Sequence, residues 1–128
     1  MSWTQQQVRE LKVNRYVVID DEPCKIIELT TSKPGKHGEA KARIVALGIF
    51  SGNKRSLVSP VTHKVQVPMI EKRTAQVVSI QGTEAQLMDM ETFEMFNLEI
   101  PEEFRKDIEA GSEINYQDAM GRRQITRI

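Results

Sequence analysis

The sequence predicts an all-β chain folded as two small barrels. Short runs rich in β-branched and aromatic residues recur along the chain, separated by clusters of Gly, Pro, Asn and Asp. A length of 128 residues suits one domain or two very small ones. The net charge of zero conceals an asymmetry, because residues 1–70 carry a formal charge of +5 and residues 71–128 carry −5. This asymmetry indicates two units, of which the basic one faces a polyanion.

The first half contains four predicted strands. The run at 16–19 is β-branched and aromatic, and the turn residues 20–23 follow it. In residues 40–47 small or apolar side chains first alternate with basic ones, which is typical of a half-buried strand with one charged face. The predicted strands are residues 16–19, 24–29, 40–47 and 61–67, with a turn at 51–54.

The second half contains five short predicted strands. Pro68 disfavours further pairing in a central strand, and Glu71–Arg73 is short and polar, so we place the boundary there, with domains 1–70 and 71–128. Gln81-Gly82 is a hairpin turn signal. Pro101, an acidic first turn and Gly111 predict one short helix between them. The predicted strands are residues 74–80 and 83–90, the alternating run at 96–100, and two closing strands around Tyr116 and at 124–128. Five strands with one late helix suit an OB-like barrel.

The composition disfavours several function classes. Cys24 is the only cysteine, so a disulfide within one chain is impossible, which fits a reducing, cytoplasmic compartment. No apolar run is long enough to span a membrane, and the N-terminus has no signal-peptide core. Cys24, His37 and His63 are too far apart in sequence to predict a metal site or a catalytic group. We therefore expect no enzyme, no metal and no membrane.

Residues 30–42, TTSKPGKHGEAKA, form the most distinctive segment. Gly35 and Gly38 permit backbone angles that other residues resist, and Pro34 fixes one more, so a turn with a tight tip is predicted around Lys36. Lys33, Lys36, Lys41 and Arg43 surround it with positive charge, and a protonated His37 adds to it. Such a cationic tip suits phosphate groups. Composition alone favours the alternative, a solvated hairpin with surface lysines, because surface lysines are common.

The segments TSKPGKHGEAK, ALGIFSGNKRS and VTHKVQVP resemble the translation initiation factor 5A family in its archaeal form, whose bacterial relative is elongation factor P. The resemblance covers nearly the whole chain and is densest over residues 30–68. It implies an SH3-like N-terminal barrel followed by an OB fold. The modification loop it implies consists of Ser32, Lys33, Pro34, Gly35, Lys36, His37 and Gly38.

The resemblance also implies that Lys36 becomes deoxyhypusine or hypusine. In that family deoxyhypusine synthase, which uses NAD, transfers the aminobutyl group of spermidine to the lysine at this position. The protein needs no cofactor of its own. The implied partners are the ribosome, through its rRNA, and peptidyl-tRNA, which the modified side chain positions when proline-rich sequences slow peptide bond formation. The factor is expected to be a monomer. The candidate contacts to RNA phosphates are Lys33, Lys41, Arg43, Lys54 and Arg55, and a local basic patch at Arg122 and Arg123 is a further possibility in the acidic half.

Two other readings stay open at this point. The chain is alternatively a general RNA-binding module or RNA chaperone that acts without modification. In a third reading it is a weak ribonuclease in which His37 or His63 acts as acid or base, but two histidines so far apart in sequence fix no geometry.

Overall fold

A computed structural model describes residues 3–32 and 40–128, which form two compact units, Met1–Met69 and Ile70–Ile128. Nearly all of the regular structure is β, so the all-β prediction is confirmed. Each unit is built on a curled sheet around its own apolar core, the first with an additional two-stranded ribbon, and the two match the predicted SH3-like and OB architectures in that order.

The first unit contains six strands in two sheets. β2, β3, β4 and β5 form an antiparallel four-stranded sheet in sequence order, while β1 pairs with β6 in a separate two-stranded ribbon. The core side chains come from alternate positions, as in Ala42, Ile44 and Ala46 of β4. The strands are β1 (Trp3–Gln7), β2 (Tyr16–Ile19), β3 (Glu22–Ser32), β4 (Lys41–Gly48), β5 (Lys54–Pro60) and β6 (Lys64–Pro68).

The second unit is one five-stranded antiparallel sheet in the order β11-β10-β7-β8-β9. Val77, Leu87, Ile114 and Ile125 are buried on its inner face with Tyr116. The β7–β8 hairpin turns at Gly82, whose φ of +61° is the left-handed conformation that the Gln81-Gly82 signal predicted. The strands are β7 (Ile70–Gln81), β8 (Glu84–Asp89), β9 (Met95–Glu99), β10 (Glu113–Ala119) and β11 (Arg122–Arg127).

Two strands of the first unit have no counterpart among the predicted strands. β1 (Trp3–Gln7) is almost entirely polar, and it forms only because β6, far along the chain, supplies a pairing edge. β5 (Lys54–Pro60) begins inside the segment that was predicted as a turn. The strand predicted over 61–67 is β6 (Lys64–Pro68), because the His63 N–H donates to the Pro60 carbonyl and closes a turn first.

The polar segment proposed as a boundary is part of a strand. β7 begins at Ile70, and Glu71, Lys72 and Arg73 pair with β10 opposite Asp118, Gln117 and Tyr116. A polar composition is compatible with a strand when one of its faces is solvated.

The helix predicted over 101–111 is present only as one 3₁₀ turn, Glu102–Phe104, after Pro101. A segment of this length cannot recover the cost of helix nucleation from its own hydrogen bonds. Tertiary contacts fix its course instead, since the Gly111 N–H donates to the Val77 carbonyl at 2.7 Å and Ile108 is buried in the core.

Candidate functional site

The hairpin of β3 and β4 carries the predicted modification loop. Ser32, the last residue of β3, is the ladder partner of Lys41, the first residue of β4, and its Oγ donates to the Lys41 carbonyl at 3.3 Å. The backbone therefore leaves the sheet at Ser32 and returns to it at Lys41, on the neighbouring strand. The other loop residues, Lys33, Pro34, Gly35, Lys36, His37 and Gly38, lie outside the described residues.

The base of this hairpin is fixed by the packing of β4 in the core and by its pairing with β5. Ala42 and Ile44 anchor β4 in the core, and β5 pairs along the whole of β4 from Lys41 to Leu47. The Ala40 carbonyl accepts a hydrogen bond from the Val61 N–H at 3.0 Å. Both ends of the segment at 33–39 are thus joined to a continuous sheet.

Cationic side chains line the outer face of this sheet. Lys41 and Arg43 are exposed and lie two residues apart on β4, a spacing of about 7 Å. At the other end of the same face, Lys25 and Lys54 flank Leu47 from β3 and β5. Sequence reasoning named Lys41, Arg43 and Lys54 but missed Lys25, because only the register reveals that it shares their face. Lys33 lies outside the described residues.

Arg55 differs from the other RNA-contact candidates because its guanidinium already has partners. Its Nε donates to Glu22 Oε1 at 3.0 Å and its Nη1 to Asp20 Oδ2 at 3.2 Å. Burial raises the pKa of Glu22, but hydrogen bonds from the backbone and hydroxyl of Ser51 and from Arg55 outweigh it and leave the pKa below its ordinary value. Arg55 therefore stabilises the end of β5, and a role in RNA binding stays a prediction.

Gly48 leaves the space that the Glu22 carboxylate occupies. A methyl group at Gly48 would overlap this carboxylate and separate it from Ser51 and Arg55. We expect Gly48→Ala to lower the free energy of unfolding by about 1–3 kcal/mol, measured by urea denaturation.

The matched control for that substitution is the Glu22→Ala background, which removes the overlapping group. In that background Gly48→Ala should lower the free energy of unfolding much less, because the effects of two substitutions that share one contact are not additive. An equal loss of unfolding free energy in both backgrounds would show that overlap with the Glu22 carboxylate is not the cause.

A buried ion pair organises the second unit. The Asp89 side chain is 1% exposed, and Arg73 donates to it from Nε at 2.7 Å and from Nη2 at 3.1 Å. The Tyr116 hydroxyl donates to Asp89 Oδ2 at 2.5 Å. Burial and the Asp89 carboxylate raise the pKa of Tyr116 to about 12. Sequence reasoning missed all three roles, since it assigned Arg73 to a linker and the partners are distant in sequence.

The possible basic patch at Arg122 and Arg123 is largely neutralised at Arg123. Its guanidinium contacts Glu94 at 3.0 Å and Asp118 at 3.0 Å and lies over the Phe96 ring at 4.4 Å from the centroid. These contacts leave Arg123 part of the surface packing of the second unit rather than a free cation.

In the part of the chain that the structure describes, neither a metal-ligand cluster nor a reactive cysteine is present. Within 3–32 and 40–128, no three His, Cys, Asp or Glu side chains cluster as metal ligands would. Cys24 is fully buried, and burial raises the pKa of its thiol, as for an inert core cysteine. No helix in these residues is long and apolar enough to cross a membrane.

Comparisons with known proteins agree with the resemblance seen in the sequence. Residues 2–63 match the family described as "Translation initiation factor 5A-like, N-terminal", and residues 69–128 match "Eukaryotic elongation factor 5A hypusine, DNA-binding OB fold". Translation initiation factor 5A of Thermoplasma acidophilum is 59% identical over 98% of this chain and 97% of its own, and that of Archaeoglobus fulgidus is 54% identical over 97% of each. The solved structure of the factor from Methanococcus jannaschii superposes with a TM-score of 0.90 at 44% identity, covering 99% of this chain and 97% of that one. The chain therefore belongs to the translation initiation factor 5A family, a family of translation factors.

Proposed function

We propose that this chain is a ribosome-bound factor whose modified Lys36 positions peptidyl-tRNA and promotes peptide bond formation, above all at runs of proline. The main support is that the strands on either side of residues 33–39 pair at Ser32 and Lys41, in a member of a family whose matched description names hypusine. The factor would work in the cytoplasm as a monomer.

The proposed modification extends a lysine side chain. A new C–N bond forms between Nζ of Lys36 and the aminobutyl carbon of spermidine, and the bond from that carbon to the central nitrogen of spermidine breaks. The rest of spermidine leaves as 1,3-diaminopropane, which takes up the proton that Nζ gives up. A separate enzyme, deoxyhypusine synthase with its NAD, performs the transfer. The product carries two amines instead of one and reaches roughly 10 Å or slightly more from the backbone. In some family members a hydroxylation follows.

A long cationic side chain on a fixed base can act by positioning alone. It would enter the catalytic centre of the ribosome and hold the acceptor end of peptidyl-tRNA in a reactive geometry, so that the ribosome performs the chemistry. Such a role needs no nucleophile or metal in this chain.

The outer face of the first sheet is the proposed contact with rRNA or tRNA. Lys25, Lys41, Arg43 and Lys54 lie on one face of the sheet and would contact phosphate oxygens, with Glu28 as the carboxylate between them opposite Val45. Because each contact releases counterions, this part of the affinity should fall with salt. The same face supports the rival function, a general RNA-binding module that needs no modification.

The mass of the peptide that contains Lys36, in protein from its native source, distinguishes the proposed function from unmodified RNA binding. We expect peptide mapping to find one aminobutyl group, with or without a hydroxyl, on Lys36, and none on Lys41 a few residues away. Native protein with plain Lys36 would contradict the proposed function and favour unmodified RNA binding.

A further inference from the structure

The turn between β8 and β9 presents an aromatic side chain to solvent in an unusual backbone conformation. Phe93 has a φ of +62° and is 68% exposed. Met90 and Met95, at the two ends of the turn, are also exposed, and we call these three apolar side chains together the Phe93 knob. A left-handed conformation is unfavourable for a bulky residue, and Gly or Asn is the usual choice there.

The buried Asp89 fixes this turn. Its Oδ1 accepts hydrogen bonds from the N–H groups of Glu91 at 2.8 Å and Thr92 at 2.9 Å. Its backbone N–H donates to the Glu94 carbonyl, and its carbonyl accepts from the Phe93 N–H, each at 2.9 Å. The network that joins β7, β8 and β10 therefore also fixes the backbone of the turn that carries Phe93.

Stability of the unit does not account for a phenylalanine at this position. The side chain is mostly in water, so its apolar surface gains little from folding, and the backbone conformation opposes it. Residues held in sparsely populated conformations by an over-determined surrounding structure are enriched at functional sites. An exposed aromatic side chain on a fixed turn is also the form that interface anchors take.

The charge around the knob identifies the kind of partner. The ion pairs connected to this turn contain five carboxylates and two guanidinium groups, Arg73 and Arg123, and the second unit as a whole carries a formal charge of −5. The carboxylates are those of Glu71, Asp89, Glu91, Glu94 and Asp118. A phosphate backbone is repelled by such a surface, whereas a protein with lysine or arginine side chains is attracted.

We propose that the Phe93 knob inserts into an apolar pocket rimmed by Lys or Arg on a protein component of the ribosome. The acidic unit then binds protein while the basic unit binds RNA, so the opposite net charges of the two units suit two different kinds of partner. This inference rests on the proposed function, since it assumes that the factor binds ribosomes.

Photo-crosslinking of the full chain tests which class of molecule the knob contacts. Benzoylphenylalanine replaces Phe93 in one sample and Val58, an exposed residue on the cationic sheet, in another, and each is irradiated with ribosomes from the same organism. We expect residue 93 to give an adduct that resists ribonuclease and contains a ribosomal protein, and residue 58 to give a ribonuclease-sensitive one.

The other outcomes are distinguishable. An RNA adduct from residue 93, an adduct to a second copy of the chain, or no adduct from 93 while 58 reacts would each overturn the knob proposal and leave ribosome binding intact. Failure of both positions to react would contradict the proposed function together with the knob.

Phe93→Asn supplies an independent measurement. Asn tolerates the left-handed conformation, so the thermal midpoint should stay the same or rise, while affinity for ribosomes should fall by about tenfold or more. Val78→Asn removes another exposed apolar side chain of the same unit and should leave the affinity unchanged. Unchanged affinity in Phe93→Asn would refute the knob.

Discussion

Asp89→Ala is expected to destabilise the second unit by about 2–4 kcal/mol, because it removes the buried acceptor of several hydrogen bonds. Arg73 itself is partly exposed and keeps Glu71 and Glu91 as partners. The substitution removes the acceptor for Arg73, for the Tyr116 hydroxyl and for the two N–H groups of the β8–β9 turn. Urea denaturation followed by circular dichroism measures the loss, and hydrogen exchange at the amides of β8 and β10 locates it. Asp107→Ala, at an exposed carboxylate, is the matched control and should cost no more than about 0.5 kcal/mol.

The dependence of this effect on pH identifies the ion pair as its cause. The hydrogen bonds from Arg73 lower the pKa of Asp89, and those from Tyr116, Thr92 and Glu91 add to the effect, while burial opposes it. A depressed pKa in the folded state contributes stability that is complete above the unfolded value of about 4 and is lost as the pH falls below it. The difference in stability between wild type and Asp89→Ala should therefore shrink as the pH falls from about 5 to about 2. If the difference in stability between wild type and Asp89→Ala stayed constant over this range, its cause would be lost packing and not lost charge.

Local sequence pattern was sufficient where a strand has one apolar and one polar face. In β4, Ala42, Ile44 and Ala46 alternate with Lys41 and Arg43, and in β9 Phe96 and Leu98 alternate with polar residues, so period and burial agree. The hairpin turn at Gly82 was predictable for a similar reason, since its chemistry is local. These features, taken together, were enough to predict the fold class.

Features that depend on distant partners were not predictable from pattern. The polar strand β1 has no periodic signal and forms against β6, more than fifty residues away. Arg73 looked like part of a linker, and Asp89 like an ordinary turn residue, until their contact at 2.7 Å was known. Lys25 lies on the cationic face because of the register of the sheet, which the sequence does not show. Arg55 is less available to bind RNA because Glu22, distant in sequence, forms an ion pair with it. The candidate site was found by motif, but which cations share its face required the structure.

Lys36→Arg is expected to abolish the stimulation of translation through consecutive prolines while leaving the fold unchanged. Arginine keeps the positive charge, but its guanidinium stays protonated and offers no free amine for the aminobutyl transfer. The measurement compares the synthesis rate of a reporter with a proline run in a translation system from the same organism, with factor that has been treated with deoxyhypusine synthase and spermidine. We expect the rate with Lys36→Arg to match the rate without any factor.

Lys41→Arg is the matched control, since it makes the same chemical change at an exposed cation on the same hairpin. If charge on the basic face were sufficient for function, both variants would retain activity, because both preserve every positive charge. If reach is the property that matters, only Lys36→Arg fails, and it fails even at saturating concentration, because binding through Lys25, Arg43 and Lys54 is untouched. Full activity of Lys36→Arg would therefore contradict the positioning mechanism directly and leave unmodified RNA binding as the function that the cationic sheet performs.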